Sequence, residues 1–130
     1  MYVTHVDKVR EYELKSEGYH KVRVKYLLHA GIGVKRLQLR LFTIDVGGYT
    51  SKEKHAHEHE VFFLRGKALV KGENEEYEVG PGSVIFIRSW ELHQIINIGD
   101  EPVQFICTKE TSELPEPIKE DMEKHRISYP

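Results

Sequence analysis

Between residues 53 and 59 the chain reads Glu53-Lys54-His55-Ala56-His57-Glu58-His59, so that one carboxylate and three imidazoles recur at every second position. On extended backbone a period of two turns all four toward the same side. Neutral imidazole and carboxylate are donors suited to a divalent transition ion, with Fe, Mn, Ni, Co and Zn as candidates, and three or four such donors leave positions open for a small molecule. A lone histidine on such a stretch is more often a solvated surface residue. Three in alternation, with His93 on a later strand-like run, favour a metal site. Cys107 is the only cysteine, so there is neither an intrachain disulfide nor a pair of thiolates, and the metal rests on nitrogen and oxygen.

The elements that must carry these residues read as short strands. From Tyr19 to Leu28 the sequence alternates, placing Val22, Val24, Tyr26 and Leu28 opposite Lys21, Arg23 and Lys25. A second run extends from Lys35 to Val46, with apolar residues on both parities, and Gly47-Gly48 is expected to break it. Glu53 to Arg65 is predicted to be one strand that feeds a hairpin, whose arms Lys67 to Lys71 and Glu75 to Val79 flank Gly72-Glu73-Asn74. Gly80-Pro81-Gly82 turns the chain into Ser83 to Ile87, and Leu92 to Asn97 and Val103 to Lys109 complete the series. Strands at this spacing predict a β-sandwich or barrel. Beyond Lys109, two prolines precede a short charged stretch, Ile118 to His125, that suits a helix packed outside.

The 130 residues, 39% of them apolar, suffice for one domain with one core. Lys+Arg number 19 against 21 Asp+Glu, and the two signs are interspersed, which argues against a nucleic-acid partner. No apolar run approaches the length that spans a bilayer, and the N-terminal residues lack the apolar core of a signal peptide. A cytoplasmic protein without a membrane partner is the expectation.

Two segments resemble the motifs of the cupin superfamily. The first cupin motif, G-x5-H-x-H-x3,4-E-x6-G, fits from Gly47 through Glu53, His55 and His59 to Gly66, with Glu and His exchanged at the first and third donor positions. A rival register pairs His55 with His57 and takes Glu60 as carboxylate, but its spacing from Gly47 and to Gly66 is wrong. The second motif, G-x5-P-x-G-x2-H-x3-N, fits from Gly82 to His93 and Asn97, with Arg88 and Trp90 at the Pro and Gly positions. With that Gly replaced, the turn is expected to manage without a positive φ.

The resemblance implies an all-β fold, the cupin jelly-roll barrel or double-stranded β-helix, over residues 35–109. Residues 1–34 would supply strands packed on the barrel or on a partner subunit, and residues 110–130 a tail. It further implies one divalent metal per chain on Glu53, His55, His59 and His93, with His57 and Glu60 as candidates for acid–base work. Arg88, Trp90 and Phe63 are candidate substrate contacts, while Gln38, Arg40 and Tyr49 are further polar residues near the barrel mouth. If His55 and His59 face inward, Val61 and Phe63 do too, whereas Phe62 and Leu64 face outward and need cover, which predicts a homodimer. Val84 and Phe86, Ile95 and Asn97, and Val103, Phe105 and Cys107 are candidates to line the interior, with Cys107 as a buried apolar residue rather than a nucleophile. The function expected is a metal-dependent enzyme acting on a small molecule, with a dioxygenase-like oxidoreductase foremost. A metal-dependent isomerase or decarboxylase, or a non-catalytic ligand-binding barrel, is the alternative.

Overall fold

The computed structural model describes residues 1–125, so the last five residues of the expected tail lie outside the described part. Nine strands follow in order: β1 (Glu11–Glu13), β2 (His20–Leu28), β3 (Leu37–Tyr49), β4 (His59–Arg65), β5 (Ala68–Lys71), β6 (Glu76–Val79), β7 (Val84–Ile87), β8 (Gln94–Asn97) and β9 (Val103–Glu110). One α-helix, α1 (Glu116–His125), closes the described chain. All ladders are antiparallel, and the sheet curls in the order β6-β5-β8-β3-β9-β4-β7, with β1 and β2 added along β3. This is the antiparallel jelly-roll barrel that the resemblance implies.

Strand β3 is the spine, because it pairs with β2, β9 and, at Tyr49, β8. Gly47-Gly48 does not end it. The ladder instead steps from Val22↔Ile44 to His20↔Tyr49, so Lys21 alone on β2 faces four residues of β3, and the excess is absorbed in a wide bulge. A Cβ on Gly48 would lie 2.6 Å from the His20 carbonyl oxygen, so only glycine lets the backbones approach this closely. The bulge redirects β3 into the segment that bears the clustered histidines.

The interior is filled by inward residues from both halves of the curled sheet, including Val22, Val24, Ile44, Phe63, Val103 and Phe105. Phe105 lies at the centre, stacked on Phe42 with ring centroids 5.1 Å apart and tilted against Phe63 at 5.2 Å. Burial of each such ring contributes roughly 1.5–3 kcal/mol. The alternation read along β2, β4, β8 and β9 holds: Val61, Phe63, Ile95, Asn97, Val103, Phe105 and Cys107 are buried, and Phe62 and Leu64 are exposed. On β7 the expected face is reversed. Val84 is 74% and Phe86 50% exposed, while Ile87 is buried. The four apolar residues Val84, Ile85, Phe86 and Ile87 satisfy either parity, and pairing of Phe62 with Val84 across β4 selects the outer face for Val84.

Candidate metal centre

Glu53 to His59 is not the continuous strand predicted. The regular ladder begins only at His59, and Glu53 forms an isolated bridge with His93 through two reciprocal bonds, Glu53 N–H to His93 O (3.1 Å) and His93 N–H to Glu53 O (3.0 Å). Lys54 to Glu58 form a loop, yet burial still alternates: Glu53, His55, His57 and His59 are more enclosed than Lys54, Ala56 and Glu58. The Ile95 amide donates to the Thr50 hydroxyl and the Gln94 side chain to the Thr50 carbonyl, fastening the start of this loop to β8. Two distant segments therefore present their histidines to one another.

His55, His59 and His93 come together, with one ring nitrogen of each within 4.8 Å of the others. Two of the tautomers are set by the backbone. His55 Nδ1 lies 2.9 Å from the His57 carbonyl and His93 Nδ1 2.8 Å from the Glu91 carbonyl, so each Nδ1 carries the proton and each Nε2 presents its lone pair to the cluster. The Nε2 atoms of His55 and His59 are 3.0 Å apart. Two nitrogens about 2.1 Å from one ion, subtending a right angle, would have nearly that separation. The Oε1 of Glu53 lies 3.8 Å from His55 Nε2 and 4.0 Å from His93 Nε2. Tyr19 donates to Oε1 (3.2 Å) and Ser51 to Oε2 (2.9 Å), which orients the carboxylate toward the rings. The three imidazoles thus fit a divalent ion, with the Glu53 carboxylate beside two of them as a candidate further donor.

Burial and neighbouring cations favour the neutral, metal-binding form of His55, His57 and His59. Burial, then the Arg40 guanidinium, pushes His59 down to about 2, and burial, then Lys109, pushes His57 down to about 4. Burial also lowers His55, and burial followed by the nearby Glu53 raises the Tyr19 hydroxyl to about 12. Around His59 Nδ1 stand Arg40 Nη2 at 3.2 Å and Cys107 Sγ at 3.3 Å, and Arg40 Nη2 also donates to Cys107 Sγ at 3.2 Å. If His59 binds metal through Nε2, its Nδ1 bears hydrogen. Arg40 has only donors, so Cys107 sulfur then becomes the acceptor shared by both. Burial raises the Cys107 thiol, which agrees with a buried packing role.

The cluster opens into a cavity of about 240 Å³, lined by Tyr19, Arg40, Thr50, His57 and Lys109 together with apolar Phe42, Val61, Ile87, Ile95 and Phe105. His57 lines it too and stacks on His55, with ring centroids 3.5 Å apart. Four expected site residues lie elsewhere. Glu60 is on the exposed face of β4 beside Phe62, because it has the opposite parity and no bulge turns it inward. Phe63 is fully buried against Phe105 in the core and does not line the cavity. Arg88 lies over the Phe86 ring and pairs with Glu91 at 3.6 Å on the outside. Trp90 is 64% exposed and borders a separate surface depression with Glu73 and Leu92.

The Arg88–Trp90 turn contributes through its backbone instead. Trp90 adopts φ +62, so the positive φ of the usual glycine is retained by a bulky residue, at a cost of roughly 1–2 kcal/mol. That conformation aims the Trp90 N–H at the His55 carbonyl (2.7 Å), while the next residue, Glu91, accepts from His93 Nδ1. One strained turn thereby orients two of the three histidines. Sequence reasoning missed Tyr19 and Lys109. Lys109 shares the inward parity of Phe105 and Cys107, a charged residue on a core-facing register that was legible as a signal. Tyr19 precedes β2, far from both motifs, and carries no such signal.

Residues 40–109 match the Cupin domain family. The chain belongs to the cupin family. An uncharacterized protein of Methanocaldococcus jannaschii is 34% identical over 107 residues, covering 80% of this cupin and 82% of that protein. The 1-methylthio-D-xylulose 5-phosphate methylsulfurylase of Rhodospirillum rubrum is 30% identical over 95 residues, covering 72% of this cupin and 60% of that enzyme. Among solved structures, the polyketide cyclase RemF from Streptomyces resistomycificus superposes with a TM-score of 0.80 at 23% identity, covering 96% and 94% of the two chains, a likeness of fold. No helix among the described residues is long and apolar enough to cross a membrane.

Proposed function

We propose that this cupin holds one divalent transition metal on His55, His59 and His93, with Glu53 as the fourth donor, and acts as an enzyme on a small oxygen-bearing organic molecule by proton transfer. The observation that carries this reading is the convergence of imidazole nitrogens whose Nδ1 protons are already given to the His57 and Glu91 carbonyls. When bound, the ion supplies Lewis acidity toward substrate oxygens. His57 is the proton carrier. It is neutral at pH 7, lines the cavity, and no hydrogen bond among the described residues engages its ring. The R. rubrum relative, whose substrate is 1-methylthio-D-xylulose 5-phosphate, supports a small organic substrate rather than a macromolecule. A dioxygenase-like oxidoreductase is the second reading, supported by the same donor set.

The test is anaerobic incubation in D2O of full-length protein loaded with Mn, Fe, Ni, Co or Zn, against panels of hydroxy acids, diketones and sugar phosphates. Proton transfer predicts deuterium in recovered substrate or product without oxygen, and about a hundredfold loss in His57→Gln at unchanged metal content. Turnover that consumes dioxygen stoichiometrically would replace this reading with the oxygenase.

A homodimer belongs to the same proposal. Phe62, Leu64, Val84 and Phe86 are exposed together on the outer face of β4 and β7, where Phe62 pairs with Val84, and β7 is a sheet edge. A second copy would cover that face.

A further inference from the structure

Arg40 and Lys109 lie on inward positions of the neighbouring strands β3 and β9, where Arg40 pairs with Cys107 and Gln38 with Lys109. Both residues line the histidine cavity. Both also line a larger groove, of about 960 Å³, that runs between the N-terminal segment and α1. The two cations therefore stand where the groove meets the cavity.

No ion pair among the described residues includes Arg40 or Lys109, although Glu113 and Glu53 are near enough to act on the charge of Lys109. Among the described residues, Arg40 Nη2 hydrogen-bonds to His59 and Cys107, and its guanidinium lies 4.8 Å over the Phe42 ring. Its Nε is buried with no hydrogen-bond partner. Buried donors are almost always satisfied, and an orphaned one on a guanidinium is costly. Two half-enclosed cations also repel more strongly than they would in water. An oxyanion between them would remove the repulsion and give both side chains an acceptor, the planar fork of Arg40 meeting two oxygens while Lys109 acts as a point charge.

We propose that Arg40 and Lys109 form an oxyanion subsite that takes the carboxylate or phosphate of the small molecule occupying the histidine cavity. The proposal rests on reading that cavity as a substrate site, and it narrows the substrate class to organic anions.

The test is calorimetric titration of the full chain, metal-free and Mn-loaded at neutral pH, with inorganic phosphate and separately with malonate. Wild type binds at least one of them, and Lys109→Gln and Arg40→Gln weaken that binding about tenfold or more in both forms, with the metal content of Lys109→Gln unchanged. Binding of phosphate alone identifies a phosphate ester as the ligand class, and of malonate alone a carboxylate. The proposal is overturned if neither anion binds wild type by about 10 mM, or if Lys109→Gln binds as tightly as wild type. Should Arg40→Gln fail to fold, Lys109→Gln decides. A wild type that takes up no metal yet binds the anion through Lys109 would refute the metal reading and leave the subsite standing.

Discussion

Metal added to the wild-type chain should raise its melting temperature, and the rise should vanish when one imidazole of the cluster is removed. At a free metal concentration a hundredfold above Kd, a ligand that binds only the folded state stabilises it by about 2.7 kcal/mol. Unfolding entropy near 2.1 cal/mol/K per residue, over 130 residues, converts this to a rise of about 10 °C. His59→Ala deletes a buried ring whose Nε2 lies 3.0 Å from that of His55, so the remaining donors cannot close around an ion. If affinity falls a hundredfold, the same metal concentration gives about 0.4 kcal/mol, or a rise near 1.5 °C. Each variant is compared with its own chelator-treated melt, which cancels the packing lost with the ring. His93→Ala should behave alike, and Glu60→Ala, on the outer face, should keep the full rise. The assay is thermal unfolding by circular dichroism, paired with metal analysis of dialysed protein. Wild-type shifts in both His59→Ala and His93→Ala would refute the reasoning.

Two further outcomes follow from burial and charge. The folded pKa of His59 lies far below the 6.5 of an unfolded histidine, and His57 and His55 are also lowered, so below pH 6.5 the unfolded chain binds protons that the folded chain does not. Metal-free stability should therefore be full above pH 6.5 and fall toward pH 4, at up to about 1.4 kcal/mol per pH unit for a histidine that stays neutral, with His57 contributing less because it is more exposed. Urea midpoints at pH 7.5, 6 and 5 check this, and a slope unchanged by His59→Gln would contradict it. On the outer face, Phe62→Glu combined with Phe86→Glu should turn a dimer into a monomer by sedimentation velocity, at little cost to the protomer because both side chains are exposed. A wild type that sediments as a monomer would end the dimer proposal.

The spacing of Glu53, His55, His59 and His93 was readable because each donor is tied to its neighbours by a short-range period or a fixed motif distance. Parity also determined the inward faces of β2, β4, β8 and β9, its phase set by charged residues opposite Val22 and Val24, by His59 on β4, by His93 before β8 and by polar Gln104 and Thr108 on β9. Where that contrast fails, sequence cannot choose. Val84 to Ile87 are apolar on both parities, and only pairing with β4 decided that Val84 and Phe86 face outward. The loop from Lys54 to Glu58 kept the parity of a strand without its ladder, because the bonds holding it come from Ile95, Gln94 and Trp90 rather than from a neighbouring register. The roles of Arg88 and Trp90 changed for a related reason: their turn acts through a backbone N–H and a positive φ, which residue type at those positions concealed. Long-range pairing alone brought Arg40, Lys109 and Tyr19 to the histidines, since three segments distant in sequence meet there only after the sheet has curled. The sequence by itself determined which side chains could hold an ion. The tertiary structure decided what else surrounds it, because contacts between distant strands depend on register and curvature that no local pattern encodes.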